Sequence, residues 1–184
     1  YGRFPKPVEH SDGTLKYGDK TAAFLDAKEP GDADWRKHGV DVVLETTSRY
    51  RTKSELQRHI DAGARKVILT SSPENAGEIP VLLRGINDDV LTPSTDMIAL
   101  GSNTSNAVAP ILATLDDHFG IKRTFMTIVK AMSNSGRLAD VPTDSFRTSR
   151  AAGENIIPAE TNSAEILAEA LPQLSGKMTA TALN

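Results

Sequence analysis

The order of secondary structure is clearest in the segment VDVVLETTSRYRTKSELQRHIDAGARKVILT, residues 40–70. Residues 40–44 are almost continuously apolar, which predicts a buried strand, and residues 66–70 repeat that pattern. The residues between them follow the spacing of a helix over 52–62, and Gly63 is placed as its stop. A strand, a helix and a second strand in this order predict an α/β sheet that is at least partly parallel.

Further elements are predicted on both sides of this unit. Strands are predicted over residues 8–10, 14–17, 21–25, 79–83, 97–100, 124–129 and 178–183, the first three forming a small hairpin sheet. Apolar spacing predicts a long helix over residues 102–119 and a second helix over residues 164–171. The polar segment 133–155 contains three arginines, and a loop of that length is predicted to be functional or to form an interface.

The composition limits the classes of partner and site. A net charge of -3 gives no field that would attract a nucleic-acid backbone or an anionic membrane, so neither partner is expected. No apolar run approaches the roughly 20 residues that cross a bilayer, and a cytoplasmic location is expected. The sequence has no cysteine, and its four histidines are scattered without metal-ligand spacing, so neither thiol chemistry nor a metal site is predicted.

Six short motifs occur in the order and spacing of one enzyme family. They are YGRFP at 1–5, Trp35 followed by GVDVV at 39–43, AGARKV at 62–67, SNTSN at 102–106 followed by Ala109-Pro110, FGI at 119–121, and RAA at 150–152 running to IIP at 156–158. On these motifs the chain resembles the phosphorylating glyceraldehyde-3-phosphate dehydrogenase family over essentially its whole length. The residues Lys130-Ala-Met132 also resemble the erythrose-4-phosphate dehydrogenase branch.

The resemblance implies an α/β fold in two parts. Residues 1–101 would form a partial Rossmann-like, dinucleotide-type domain that lacks its first Gly-rich βα unit. Residues 102–184 would form the start of the family's α+β catalytic domain, in which residues 133–155 correspond to the long S-loop.

The resemblance also places the two catalytic positions. The family's nucleophile is the second residue of a Ser-Cys-Thr-Thr-Asn motif at a helix start, and Asn103 occupies that position. An amide cannot attack an aldehyde or hold an acyl intermediate. The family's general base is a histidine, and Lys130 stands in its place. Both positions are therefore expected to be catalytically inactive.

The phosphate sites of the family are partly preserved. Hydroxyl groups remain at four matching positions, Ser102, Thr104, Ser133 and Thr161. Their arginine partner corresponds to Asn184, and the glycine after the threonine position is Asn162. Bidentate clamping by a guanidinium is thereby lost, although phosphate, sulfate or a phosphorylated small molecule remains a possible ligand.

Cofactor binding is expected to be weak or lost. The positions that match the family's cofactor contacts are Thr47, Ser48 and Thr70, and Ser48 replaces a glycine. No Gly-x-Gly-x-x-Gly occurs in the 184 residues, so the sequence offers no cradle for a pyrophosphate. No cofactor is therefore expected for this chain alone. NAD is expected to bind only if another chain completes the site.

Three functional hypotheses follow from these positions. The first is a non-catalytic structural, scaffold or regulatory partner that forms homo- or hetero-oligomers through residues 133–155. The second is a repurposed enzyme in which Lys130 and Asn103 act on a phosphorylated carbonyl ligand. The third is an NAD-dependent aldehyde dehydrogenase that is completed by another chain. The first hypothesis is favoured because several family positions have changed together.

Overall fold

A computed structural model describes residues 2–131, 138–143 and 145–183. In these residues the chain forms three small sheets and three α-helices. The first sheet is an antiparallel meander of β1 (Val8–Ser11), β2 (Thr14–Tyr17) and β3 (Lys20–Ala23). The turn between β1 and β2 contains Asp12 and Gly13, both with positive φ, as a tight hairpin requires. The predicted hairpin sheet is confirmed.

The second sheet is parallel and has the order β4-β5-β6. Its strands are β4 (Val42–Glu45), β5 (Lys66–Leu69) and β6 (Met97–Ala99), and helix α1 (Lys53–Asp61) connects the first two. A short 3₁₀ helix, Asp88–Val90, precedes β6. The strand, helix, strand unit predicted over residues 40–70 is confirmed.

Helix α1 begins with a capping box between Thr52 and Glu55. The Thr52 hydroxyl accepts a hydrogen bond from the Glu55 N–H, while the Glu55 carboxylate accepts from the Thr52 and Arg51 N–H groups, each at 2.9 Å. These bonds, the one from the Thr52 backbone first, hold the pKa of Glu55 below its usual range. The capping box fixes where the chain turns from the loop after β4 into the helix.

The second half of the chain contains the third sheet and two helices. Helix α2 (Asn103–Phe119) leads into β7 (Thr124–Val129), and helix α3 (Ser163–Ala170) is followed by a 3₁₀ turn at Pro172–Leu174. The sheet has the order β7-β9-β8, with the long strand β9 (Met178–Leu183) parallel to β7 and antiparallel to the two-residue strand β8 (Pro158–Ala159). The predicted strands at 124–129 and 178–183 are confirmed.

One buried cluster joins residues from both halves of the chain. From the first half it contains Leu56 of α1 and Val67 and Leu69 of β5, and from the second half Ile166 and Leu167 of α3. Continuous apolar packing of this kind is the main source of stability in a small fold. The predicted boundary between residues 101 and 102 therefore falls within a shared core.

Two strand predictions need correction. Residues 79–83 do not form a strand, because only Val81 makes a bridge, to Ala99, and the adjacent Pro80 has no N–H to donate. Strand β4 is not buried on both faces, since Val42 and Leu44 are 47% and 59% exposed. A continuous apolar run predicts burial on both faces only when layers cover both sides of the sheet.

None of the helices in the described residues combines the length and the apolar character needed to cross a membrane.

Candidate functional site

A polar cleft of about 620 Å³ lies where the carboxyl ends of the second sheet meet the start of α2 and the loop before α3. Its lining residues come from four segments of the chain: Ser48, Arg51, Thr70, Ser71, Ser72, Gly101, Ser102, Asn103, Glu160, Thr161 and Asn162. The first three segments follow β4, β5 and β6 in turn. The carboxyl edge of a parallel sheet is where α/β folds place their ligands.

The start of α2 is fixed by a second capping box. The Ser105 N–H donates to Ser102 Oγ at 3.0 Å, and the Ser102 N–H donates to Ser105 Oγ at 2.8 Å. Gly101 precedes this cap with a φ of 68°, and a Cβ there would lie 2.8 Å from Ser105 Oγ. A side chain at residue 101 would therefore be strained and would push into the cap.

Asn103 is the first helical residue of α2, and it lines the cleft. The Ser105 N–H is bonded to Ser102 Oγ and the Asn106 N–H to the Ser102 carbonyl. Within the described residues, the N–H groups of Asn103 and Thr104 have no acceptor. A helix start with unbonded N–H groups and the positive end of the dipole favours oxyanions.

A chain of hydroxyl groups connects α2 with the loop before α3. Thr161 Oγ1 donates to Ser163 Oγ at 2.9 Å, and Ser163 Oγ lies 3.5 Å from Ser102 Oγ. The structure thus brings together two of the predicted phosphate residues, Ser102 and Thr161, through a third hydroxyl. Sequence reasoning missed Ser163, which is buried and resembles an ordinary residue at a helix start.

The loop that follows β4 is anchored by a relay of polar side chains, of which Glu45 and His59 are buried. The Trp35 indole N–H donates to His59 Nδ1 at 3.2 Å, and His59 Nε2 lies 3.3 Å from Glu45 Oε2. Glu45 Oε1 in turn accepts from the N–H and the hydroxyl of Thr47, at 2.7 and 2.5 Å. Because an indole N–H can only donate, the His59 proton resides on Nε2 and points to Glu45.

Ser48 follows this anchor in a left-handed backbone conformation, with a φ of 59°. A non-glycine residue in that region carries roughly 1 to 2 kcal/mol of strain. The relay through Glu45 and Thr47 holds the adjacent backbone, so the loop keeps this shape and presents Ser48 to the cleft. The conformation is one that glycine adopts easily, and the resemblance places a glycine at this position.

The remaining wall of the cleft was missed by sequence reasoning. Arg51, Ser71 and Ser72 line it from the segments after β4 and β5, and Glu160 lines it from the segment after β8. The signal that could have found Arg51, Ser71 and Ser72 is positional, because residues just beyond the ends of parallel strands share one edge of a sheet. Glu160 follows an antiparallel strand, so this signal does not extend to it.

Three other predicted residues that the structure describes, Lys130, Thr104 and Thr47, lie outside the lining of the cleft. Lys130 follows β7, is exposed, and is not among the described residues that line the cleft. Thr104 does not belong to the lining set, and Thr47 acts through its bonds to Glu45. Ser133 lies outside the described residues. The structure thus brings Asn103 together with Ser48, Thr70, Ser102 and Thr161, but not with Lys130.

The cleft can bind polar groups, but its described lining contains no nucleophilic thiol and no histidine. It offers hydroxyls, two amides, one guanidinium and one carboxylate. Among the described residues no hydrogen bond joins the Glu160 carboxylate to a hydroxyl of the lining. Hydroxyls without a base in contact are weak nucleophiles, so the arrangement favours ligand binding by hydrogen bonds over covalent catalysis.

The chain is similar to glyceraldehyde-3-phosphate dehydrogenases among known proteins. Residues 102–184 match the family described as glyceraldehyde 3-phosphate dehydrogenase, C-terminal domain. A glyceraldehyde-3-phosphate dehydrogenase of Streptomyces coelicolor is 39% identical over 96% of this chain and 52% of its own length. Glyceraldehyde-3-phosphate dehydrogenase 2 of Bacillus subtilis is 35% identical over 100% of this chain and 54% of its own length. The chain thus spans about half the length of these curated relatives.

Proposed function

The chain belongs to the glyceraldehyde-3-phosphate dehydrogenase family, and from this premise we propose that it is a non-catalytic member that serves as a structural, scaffold or regulatory partner. The observation that carries the proposal is Asn103 at the first position of α2, on the cleft. The family reaction needs a thiolate there, and an amide has no lone pair basic enough to form the covalent intermediate. The 184 residues contain no cysteine that could take over this role.

Two alternatives make different demands on the cleft. A repurposed enzyme would need Lys130 near Asn103, and the exposed position of Lys130 outside the cleft lining gives this alternative no support. A dehydrogenase completed by another chain is favoured by the names of the relatives. It would need that chain to bring both a thiol and a pyrophosphate cradle to the cleft. Accordingly, we propose no cofactor for this chain alone.

Direct assay tests whether the chain alone has the family's activity. The purified protein is expected to reduce no NAD with glyceraldehyde-3-phosphate or erythrose-4-phosphate, because the covalent route is missing. Loss of a catalytic nucleophile lowers turnover by several orders of magnitude in covalent enzymes. The measurement is absorbance of the reduced nicotinamide over hours at high protein concentration. Turnover that persists through purification and falls in Lys130→Ala or Thr104→Ala would overturn the proposal.

We further propose that the chain assembles through residues 133–155 and their immediate neighbours. Apolar side chains are unusually exposed in the described part of this region, with Phe146 at 98% and Ile156 at 77%. Arg150 lies 4.0 Å from Asp140, which leaves its guanidinium mostly available. Exposed aromatic residues beside arginines are typical of protein interfaces.

Sedimentation at low micromolar concentration is expected to show a species larger than the 19.8 kDa chain. Phe146→Asp should shift it toward the monomer because a charge would be placed in the interface. Arg147→Glu with Arg150→Glu should have the same effect because two charges would be reversed there. Phe119→Asp is the matched control, since Phe119 is also exposed but belongs to α2. A stable wild-type monomer at these concentrations would contradict the proposal.

A further inference from the structure

His59 joins two side chains that make different demands on its ring. Nδ1 accepts the indole N–H of Trp35 at 3.2 Å, and Nε2 lies 3.3 Å from Glu45 Oε2. His59 and Glu45 are buried, and Trp35 is half-buried. The Trp35 bond needs an unprotonated Nδ1, whereas a carboxylate accepts from Nε2–H in the neutral and in the charged ring alike. The two contacts therefore exist together only while the imidazole is neutral.

A second proton on His59 would break one contact and keep the other. Nδ1 would become a donor, so two N–H groups would point at each other across the 3.2 Å between Trp35 Nε1 and His59 Nδ1. The contact with Glu45 would become a charge-assisted ion pair, because the imidazolium still donates from Nε2. Histidine is the side chain that changes its charge between roughly pH 5 and pH 8. Acidification is thus directed at the Trp35 side of the relay.

Glu45 is the one charged side chain within ion-pair distance of His59 among the described residues. The charged groups on the segments around it have other partners. Arg58 of α1 binds Glu29, the Glu55 carboxylate caps α1, the Asp34 carboxylate accepts from the Lys37 N–H, and Lys66 of β5 donates to the Pro93 and Thr95 carbonyls. None of these groups offers a charged His59 an alternative to Glu45.

Trp35 anchors the loop that precedes β4, residues 31–40, which we call the Trp35 loop. The Trp35 N–H donates to the Ala62 carbonyl at the end of α1 at 3.0 Å, and the Trp35 carbonyl accepts from the Val40 N–H at 2.9 Å. Between this loop and the end of α1 lies a groove whose lining includes four charged residues, Asp32, Asp34, Arg36 and Asp61. A movement of Trp35 would therefore change the shape and the charge of this groove.

We propose that His59 is a pH-sensitive latch, whose protonation releases the Trp35 loop and leaves the loop after β4 in place. The release follows from loss of the indole bond. The second loop stays because Glu45 keeps its contact with His59 and still accepts from the N–H and the hydroxyl of Thr47. This regulation goes beyond the proposed function, since the charged groove shares no lining residue with the cleft in the described part of the chain.

The single tryptophan makes the latch directly measurable. The ¹⁵N-labelled chain has one indole N–H resonance, which is expected to move upfield between about pH 8 and about pH 5 because the indole loses its acceptor. The emission of Trp35 should shift to longer wavelength over the same range as the ring becomes more exposed. Stopping near pH 5 keeps most carboxylates ionised, so that the change reports on histidine.

Two variants separate His59 from other effects of acid. His59→Gln is expected to abolish both spectral changes, because the glutamine amide offers an acceptor and a donor but does not titrate. His38→Gln is the matched control, since His38 is exposed and belongs to the Trp35 loop itself. It should leave both changes as they are in the wild-type chain.

Hydrogen exchange followed by mass spectrometry supplies a test on the wild-type chain alone. After correction for the intrinsic pH dependence of exchange, the Trp35 loop should exchange about fivefold or more faster at the acidic end, as one lost hydrogen bond implies. Strands β4 and β5 should keep their protection. The proposal is wrong if the spectra of the wild-type chain do not change, if His59→Gln retains the change, if His38→Gln removes it, or if all segments open together.

Discussion

A cysteine introduced as Asn103→Cys is expected to react with iodoacetamide about tenfold faster at neutral pH than a cysteine at the opposite end of the same helix. The helix dipole and the unbonded N–H groups at the start of α2 stabilise a thiolate, which lowers the pKa of the thiol. Because the 184 residues contain no cysteine, the introduced thiol is the only one that can react. The measurement is the pH dependence of the alkylation rate.

Asp117→Cys supplies the matched control. Residue 117 is exposed in the last turn of α2, where the negative end of the dipole raises the pKa of a thiol. Equal rates for the two variants would mean that the start of α2 does not favour an anion. Asn103→Cys is not expected to restore NAD reduction, because Lys130 lies outside the cleft lining and no histidine lines it in the described residues.

The variant Leu167→Ala is expected to lower the free energy of unfolding by about 3 kcal/mol, within the range of buried leucine truncations. Leu167 is 0% exposed and belongs to the buried cluster that contains Leu56 and Val67. A loss of that size corresponds to a fall in Tm of roughly 6 to 12 °C for a chain of this length. Thermal unfolding should be followed by far-UV circular dichroism and by the emission of Trp35, the single tryptophan.

The position of Trp35 makes this experiment informative about domain organisation. Trp35 contacts His59 in the first half of the chain, whereas Leu167 is in the second half. A shared core predicts that both signals shift together in Leu167→Ala. Leu115→Ala is the control, because Leu115 is exposed on α2 and should cost less than about 0.5 kcal/mol. If the Trp35 transition stayed in place while the circular dichroism shifted, the two halves would unfold independently.

Sequence patterns predict most of the helices and strands, because apolar spacing and helix stops act between residues that are close along the chain. Apolar spacing and a glycine stop predict a helix over residues 52–62, and α1 occupies Lys53–Asp61. The strand predicted over residues 124–129 has the bounds that the structure shows. The strand prediction for residues 79–83 is wrong for a local reason too, since Pro80 removes one backbone N–H donor from a short segment.

The cleft is only partly predictable because its walls meet through the packing of distant segments. The resemblance identifies Asn103, Ser102 and Thr161, all of which line the cleft. No motif marks Arg51 and Ser71, so only their positions beyond the ends of β4 and β5 could have pointed to them. They meet only because parallel strands β4 and β5 end side by side. The pairing of Lys130 with Asn103 stays a prediction from the family, without support from the cleft lining.

Gly101 determines how this cleft could be redesigned. Its backbone has a positive φ, and a methyl group at this position would lie too close to the cap of α2. Both features exclude any larger residue, so this part of the cleft cannot be changed by substitution. New chemistry would have to enter from the walls, where Ser48 and Thr70 are exposed and lie outside the cap of α2. The positive φ of Ser48 restricts replacements there to residues such as Gly, Asn and Asp. A designer seeking a new binding specificity would therefore vary these wall positions and keep the glycine constant.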